Sequence, residues 1–117
     1  MAFIYNVTFD ARDPCTLARF WAAATGYHIT QERPDFVRLR APDERGVRHI
    51  LFSRVDAPAA GRSRMHVDLA SRTPEAEVAR LRTLGATLVD PPGVWREGNG
   101  TRWIVLRDPE GNEFCLG

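Results

Sequence analysis

The feature that most constrains this chain is an internal repeat with a spacing of sixty residues. Pro14 lies at the first position of one predicted helix and Pro74 of a second, and the strands before them carry Asn6 and His66. A repeat of this length indicates two modules of similar plan. Each module alone has one helix to cover one face of its sheet, and the other face stays bare. The sequence therefore predicts two modules that pair through a pseudo-twofold arrangement.

The first module reads as β-α-β-β-β. Residues 3–10 alternate in character with a period of two, which predicts a strand with unlike faces. Asp13 is a suitable N-cap for the helix that follows, and Gly26 suits the left-handed position after its end. An apolar stripe on this helix is predicted from Leu17, Phe20, Trp21 and Ala24. Three further strands are predicted at 27–31, 36–40 and 47–55.

The second module repeats this order. A strand is predicted at 65–70, a helix begins after Thr73, and its apolar face is assigned to Val78, Leu81 and Leu84. A short strand at 87–89 and a Pro- and Gly-rich loop at 90–100 follow. The last residues predict a hairpin, because Asp108 to Asn112 supply turn residues between two apolar runs.

These elements predict the α+β class: two βαβββ modules that form a curved mixed sheet around a cleft, with helices on the outside. The 117 residues form one domain, with module one at about 1–55, a linker at 56–64 and module two at about 65–117. The linker is predicted because this segment is small, polar and bears Pro and Gly.

Composition excludes several classes of function. With 16 basic and 15 acidic residues, the chain has a net charge of +1. This balance does not indicate a surface that binds nucleic acid or an anionic membrane. Every basic residue is arginine, so Schiff-base chemistry through a lysine is excluded. Cys15 and Cys115 are too few for a disulfide framework. We expect a cytoplasmic protein with reduced thiols and without a membrane span.

The closing run DPEGNEF resembles the last hairpin of the vicinal-oxygen-chelate superfamily, which contains the glyoxalase and bleomycin-resistance proteins. DPCTLARFWAAATGY is similar to the helix of its first module, and HVDLASRTPEAEVARLRTLGA to the opening strand and helix of its second. The resemblance covers nearly the whole chain. It implies the paired-module fold and a homodimer.

Metal-using members of this superfamily hold one divalent ion with side chains from the first and last strand of each module. Carried over by position, the resemblance assigns these places to Asn6, His66 and Cys115, and to a fourth residue that is Ser53 by strand length or Ile50 by alignment of the turns. This set lacks a carboxylate and is a poor divalent site. We therefore expect no metal and no other cofactor, with one divalent ion as the alternative.

Several of these residues are also candidates for ligand binding. His66 and Asp68 share one strand face, so the carboxylate could fix the tautomer of the imidazole and raise its pKa. His66 is the one catalytic candidate, as an acid or base. Asn6 and Thr8 lie on a mixed strand face that could line a cavity. Trp95 and Trp103 could stack on a flat ligand or simply pack against each other.

The function predicted from these features is metal-independent binding of an aromatic or hydrophobic small molecule in the cleft. The predicted ligand-binding residues are Asn6, Thr8, Ser53, His66, Asp68, Trp95, Trp103 and Cys115. The alternative is a lyase, isomerase or dioxygenase of the same superfamily that uses a divalent metal or His66. A glyoxalase I activity is disfavoured, because the metal and the catalytic carboxylate that it needs are not found at these positions.

Overall fold

A computed structural model describes residues 1–44, 46–56, 64–89, 93–98 and 100–117. The chain divides into a first unit, residues 5–65, and a second unit, residues 1–4 with 66–117. Each unit contains one helix and a mixed sheet, which confirms the α+β class. Most of the predicted linker at 56–64 lies outside the described residues.

Among its described residues, the first unit contains one helix and four strands. They are β1 (Phe3–Ala11, which enters the unit at Tyr5), α1 (Pro14–Thr25), β2 (His28–Arg33), β3 (Phe36–Arg40) and β4 (His49–Arg54). The helix begins as predicted, because the Asp13 carboxylate accepts a hydrogen bond from the Thr16 backbone N–H at 3.2 Å. It ends at Gly26, whose φ of 79° is left-handed.

The core of the first unit lies between α1 and its sheet. Ala18, Val37, Leu39 and Phe52 are fully buried there, and Phe9 and Trp21 pack against them. The predicted helix stripe is only partly correct, because Phe20 is 62% exposed and Ala24 is exposed as well. Ala18 takes the place of Phe20, since a small residue lets the helix approach the sheet closely.

The described part of the second unit has one helix and five strands. They are β5 (Met65–Ala70, which enters the unit at His66), α2 (Pro74–Thr83), β6 (Thr87–Leu88), β7 (Arg96–Gly98), β8 (Thr101–Arg107) and β9 (Glu113–Leu116). Strand β7 lies within the predicted loop at 90–100, of which residues 90–92 and 99 are outside the described part. The sequence of β7 has no strand pattern, and its pairing with β8 gives it a strand conformation.

The core of the second unit lies between α2 and its sheet. Ile104, Leu106 and Leu116 are buried, and Val78 and Leu81 of α2 pack against them. The predicted third helix contact is wrong, since Leu84 is 64% exposed at the end of α2. The closing hairpin has the predicted turn, in which the Asp108 carboxylate accepts hydrogen bonds from the backbone N–H groups of Glu110 and Asn112.

The two units share one pairing rule that positions the candidate site. In each unit the first strand runs parallel to the last: β1 pairs with β4, and β5 with β9. The other paired strands within each unit are antiparallel. Among the described residues, neither helix has the length and apolar character that a membrane span requires.

Candidate functional site

The face of the second sheet opposite α2 carries the main polar cluster. Leu69 of β5 packs on the core beneath α2. Because side chains alternate along a strand, His66 and Asp68 point to the opposite face. Cys115 pairs directly with Asp68 in the parallel register of β5 and β9, so it shares that face. We call this side of the sheet the distal face.

The three side chains form a compact group. The Nε2 atom of His66 lies 3.3 Å from Oδ1 of Asp68. One ligand atom from each of His66, Asp68 and Cys115 lies within 4.8 Å of the other two. The side chains of His66 and Asp68 are 27% and 19% exposed, so a small molecule or ion can reach a group that is otherwise sheltered from water.

The surroundings of His66 favour its protonated form. The hydrogen bond to Asp68, followed by the one to Cys115, raises the pKa of His66 to about 10, although burial opposes the shift. The predicted effect of the neighbouring carboxylate on this histidine is therefore present, and Cys115 adds to it.

The first unit has a different polar pair in the corresponding part of its sheet. Nδ1 of the buried His49 lies 3.1 Å from Oδ1 of Asn6, which is its partner in the register of β1 and β4. The ring of Tyr5 meets the imidazole edge-on, with 5.3 Å between ring centroids. Burial, and then the charges of Arg38, Arg40 and Arg48, lower the pKa of His49.

The register also identifies the residue of β4 that corresponds to Cys115. Thr8 is sixty residues before Asp68, and it pairs with Leu51 as Asp68 pairs with Cys115. Ser53 pairs with Asp10 instead, and Ile50 packs on the core against α1. Strand length and turn alignment suggested Ser53 or Ile50, but the position depends on pairing, which places the apolar Leu51 there.

The remaining predicted ligand-binding residues of the first unit are less available. Thr8 is 6% exposed, and Ser53 is half-buried beside Asp10. The amide of Asn6 is engaged with His49. The structure therefore brings Asn6 together with His49, a residue that the sequence analysis did not assign to the site. The signal for His49 would have been its place on the last strand of the first module.

The two candidate tryptophans lie on opposite sides of the second sheet. Trp95 packs on the core beneath α2, and the guanidinium carbon of Arg102 lies 4.1 Å from its ring centroid. Arg102 also pairs with Glu75 of α2, which holds the guanidinium over the ring. Trp103 is next to the buried Ile104, so it points to the distal face, and its ring lies against Gly98.

Two of the positions assigned from the superfamily are poorly suited to a divalent ion. Asn6 is hydrogen-bonded to His49, and the apolar Leu51 stands where the fourth ligand of the first unit would be. A different set fits better: His66, Asp68 and Cys115 offer an imidazole nitrogen, a carboxylate oxygen and a sulfur. These are the ligand types of zinc sites.

Comparisons with known proteins agree with this fold. The sequence profile of a family described as a glyoxalase-like domain matches residues 6–117. A search of curated proteins finds no significant match. Among solved structures, a glyoxalase/bleomycin resistance protein/dioxygenase superfamily member from Vibrio splendidus 12B01 covers 100% of both chains at 15% identity, with a TM-score of 0.63.

Two enzymes share the fold at similarly low sequence identity. Methylmalonyl-CoA epimerase from Mycobacterium tuberculosis is 15% identical over 97% of this chain and 85% of its own, with a TM-score of 0.71. NAD-dependent benzaldehyde dehydrogenase from Legionella pneumophila is 11% identical over 95% of each chain, with a TM-score of 0.68. Likeness at these identities concerns the fold alone. The family match over nearly the whole sequence shows that the chain belongs to the glyoxalase-like domain family.

Proposed function

We propose that this protein binds a small aromatic or hydrophobic molecule on the distal face of the second unit. The observation that carries the proposal is the combination on that face of a polar cluster and an apolar strip. Val105 pairs with Cys115, and Trp103 lies two residues along the same strand. Binding sites for small molecules commonly join apolar walls to a few polar groups that fix the orientation of the ligand.

The polar cluster has the properties of an anchor. Asp68 holds the imidazole of His66 by a hydrogen bond, so the ring loses little freedom when a ligand binds. The half-buried Trp103 supplies a flat surface for stacking. Trp95 is not part of this proposal, because it packs on the opposite side of the sheet. These contacts do not require a metal.

Fluorescence quenching tests the proposal. One protein retains Trp103 alone (Trp21→Phe, Trp95→Phe), and a matched control retains Trp95 alone (Trp21→Phe, Trp103→Phe). Both are treated with chelator and titrated with 4-nitrobenzyl alcohol and 4-nitrobenzoate, which are nitroaromatic quenchers of different charge. We expect saturable quenching of Trp103 but not of Trp95. His66→Gln should weaken that binding by about threefold to tenfold, the effect of one hydrogen bond.

Two outcomes would contradict this function. Quenching of Trp103 that rises linearly with both probes would mean that the distal face does not bind them. Equal saturable quenching of Trp95 and Trp103 would place the bound molecule elsewhere or at many sites. Either result would remove the support for ligand binding on this face.

A second candidate is an enzyme of the same fold in which His66 transfers a proton. It is favoured by the hydrogen bond that Nε2 of His66 donates to Asp68, which orients the imidazole as a supporting carboxylate does in many acid–base sites. Incubation in D₂O with small ketones and thioesters would reveal such an activity as deuterium incorporation next to the carbonyl group. The incorporation should be lost in His66→Gln, and its absence in the parent protein would reject this candidate.

The proposal includes a homodimer, the assembly that the family resemblance suggests. Its support is the exposure of large apolar side chains, among them Phe3 at 57% and Ile4 at 50%. Burial of such groups between two copies would be favourable. Light scattering coupled to size-exclusion chromatography tests this, and a mass of one chain at micromolar concentration would reject the dimer.

A further inference from the structure

The spacing of His66, Asp68 and Cys115 on the distal face matches the size of a tetrahedral metal site. Zinc lies about 2.0 Å from nitrogen or oxygen and about 2.3 Å from sulfur, so two ligand atoms on a tetrahedron are about 3.3–3.6 Å apart. Nε2 of His66 and Oδ1 of Asp68 are already 3.3 Å apart. The other separations do not exceed 4.8 Å, so small side-chain rotations would bring all three atoms to a common ion.

Strand pairing explains why these three side chains converge. Asp68 and Cys115 are direct partners across the parallel strands β5 and β9, and His66 precedes Asp68 by two residues on the same face. All three are half-buried and belong to the second unit. The site therefore needs no side chain from the first unit, where Asn6 is bound to His49.

We propose that His66, Asp68 and Cys115 form a three-ligand site for a thiophilic divalent ion. The ligand types select the ion: an imidazole and a thiolate favour zinc or cobalt, whereas magnesium and calcium prefer sites made of oxygen ligands. The set differs from the one that the family resemblance assigned by position, because Asp68 of the first strand supplies the carboxylate that the last strand lacks. This site would hold the one divalent ion that the sequence predicts as the alternative to no cofactor.

The metal site goes beyond the proposed function, because binding of a small molecule on the distal face does not depend on a metal ion. Three protein ligands leave a fourth position open, the arrangement of catalytic rather than purely structural zinc sites. When bound, the ion would supply a Lewis acid next to the surface formed by Val105 and Trp103. The contribution of the chain is to hold three donors on one rigid sheet, with Asp68 and Cys115 fixed in register by the strand pairing.

Cobalt spectroscopy tests the ligand set without an activity assay. Chelator-treated protein is titrated with Co²⁺ at pH 7.5, and zinc is then added in competition. We expect one equivalent of Co²⁺ to give intense visible bands of a tetrahedral site and a near-ultraviolet thiolate charge-transfer band, both abolished by zinc. Cys115→Ser should remove the charge-transfer band, because that band requires the sulfur. His66→Gln and Asp68→Asn should each weaken Co²⁺ binding by about tenfold or more.

Cys15→Ser is the matched control, since Cys15 is the other thiol and lies in α1 of the first unit. It should bind Co²⁺ with the spectrum and affinity of the parent. Absence of a charge-transfer band in the parent, or its persistence in Cys115→Ser, would overturn the proposal. Unchanged affinity in Asp68→Asn would overturn the assignment of the carboxylate. These results are separable from the quenching experiment, which uses metal-free protein and reads Trp103.

Discussion

The two units carry a histidine beside their paired first and last strands, yet they surround it with opposite charges. His49 of the first unit is buried against Asn6, and its pKa is lowered by this burial and then by the charges of Arg38 and Arg40. His66 of the second unit lies against Asp68 and a thiol, so its pKa is raised to about 10. The same strand pairing thus supports a neutral buried imidazole in one unit and a protonated half-buried one in the other.

This difference shows which features of the repeat the two units have in common. Both units keep a proline at the start of the helix, the helix itself and the parallel pair of strands, because these depend on backbone chemistry and apolar faces. The side chains opposite the helix are not needed for either core and have diverged. Thr8 and Leu51 stand in the first unit where the second has Asp68 and Cys115. Among the described residues, the second unit therefore combines the donors that could anchor a ligand or hold an ion.

The largest expected effect concerns the charge of His66. In chelator-treated protein, replacing Asp68 by Asn should lower the pKa of His66 from about 10 by roughly two units or more, because the hydrogen bond to Asp68 is the main cause of the shift. Imidazole signals followed by NMR against pH measure this. Cys15→Ser should leave the titration unchanged. A parent His66 that titrates near 6.5 would show that the cluster does not hold the proton.

The stability of the protein should depend on the same proton. The pKa of His66 is raised from 6.5 to about 10 by folding, so the protonated ring stabilises the folded state fully below pH 6.5. This stabilisation is lost as the pH rises through 10. The advantage of the parent over His66→Gln in urea unfolding should therefore be largest near pH 6 and shrink by pH 10.5.

The composition of the chain simplifies the comparison of the stability of the parent with that of His66→Gln. The chain has no lysine, so the amine side chain with an ordinary pKa close to 10 is absent. All ionisable groups other than His66 are present in both proteins and cancel in the difference to first order. An advantage that stays constant over this range would mean that His66 does not change its proton affinity on folding.

A carboxylate beside His49 should make the pKa of this histidine more like that of His66. Asn6→Asp places a negative charge about 3 Å from Nδ1 of His49 and should raise the pKa of His49 by about one unit. The rise is smaller than the shift at His66 because burial and the charges of Arg38, Arg40 and Arg48 oppose the imidazolium. Asn6→Ala removes the hydrogen bond without adding charge and should not raise the pKa. An unchanged pKa of His49 in Asn6→Asp, read by NMR, would show that burial and the arginines set its charge state.

The fold was predictable because local signals and long-range pattern agreed. Asp13, Gly26 and the turn after Asp108 each specify a boundary through their own backbone chemistry, and the structure confirms all three. Strand β7 was missed because the residues Arg96 to Gly98 adopt it only by pairing with β8. Phe20 and Leu84 were assigned to helix faces by spacing alone, which cannot tell how closely each helix approaches its sheet.

The site was predictable only where two residues share one strand. His66 and Asp68 are two residues apart, so their common face follows from the period of a strand. The contact of Asp68 with Cys115 and the place of Leu51 both depend on register between distant strands, which the sequence does not state. For the same reason Trp95 and Trp103, close in sequence, could not be assigned to opposite sides before β7 was known.

The smallest expected effect compares the two helix caps, which are also sixty residues apart. The Asp13 carboxylate accepts hydrogen bonds from the backbone N–H and the hydroxyl of Thr16, whereas the Thr73 side chain makes no capping bond to α2. Asp13→Ala should therefore lower Tm by a few degrees, and Thr73→Ala by about 1 °C or less. Thermal unfolding followed by circular dichroism measures both. Equal losses would mean that Thr73 caps α2 in solution, and the two units would then be more alike at their helices than on the faces opposite them.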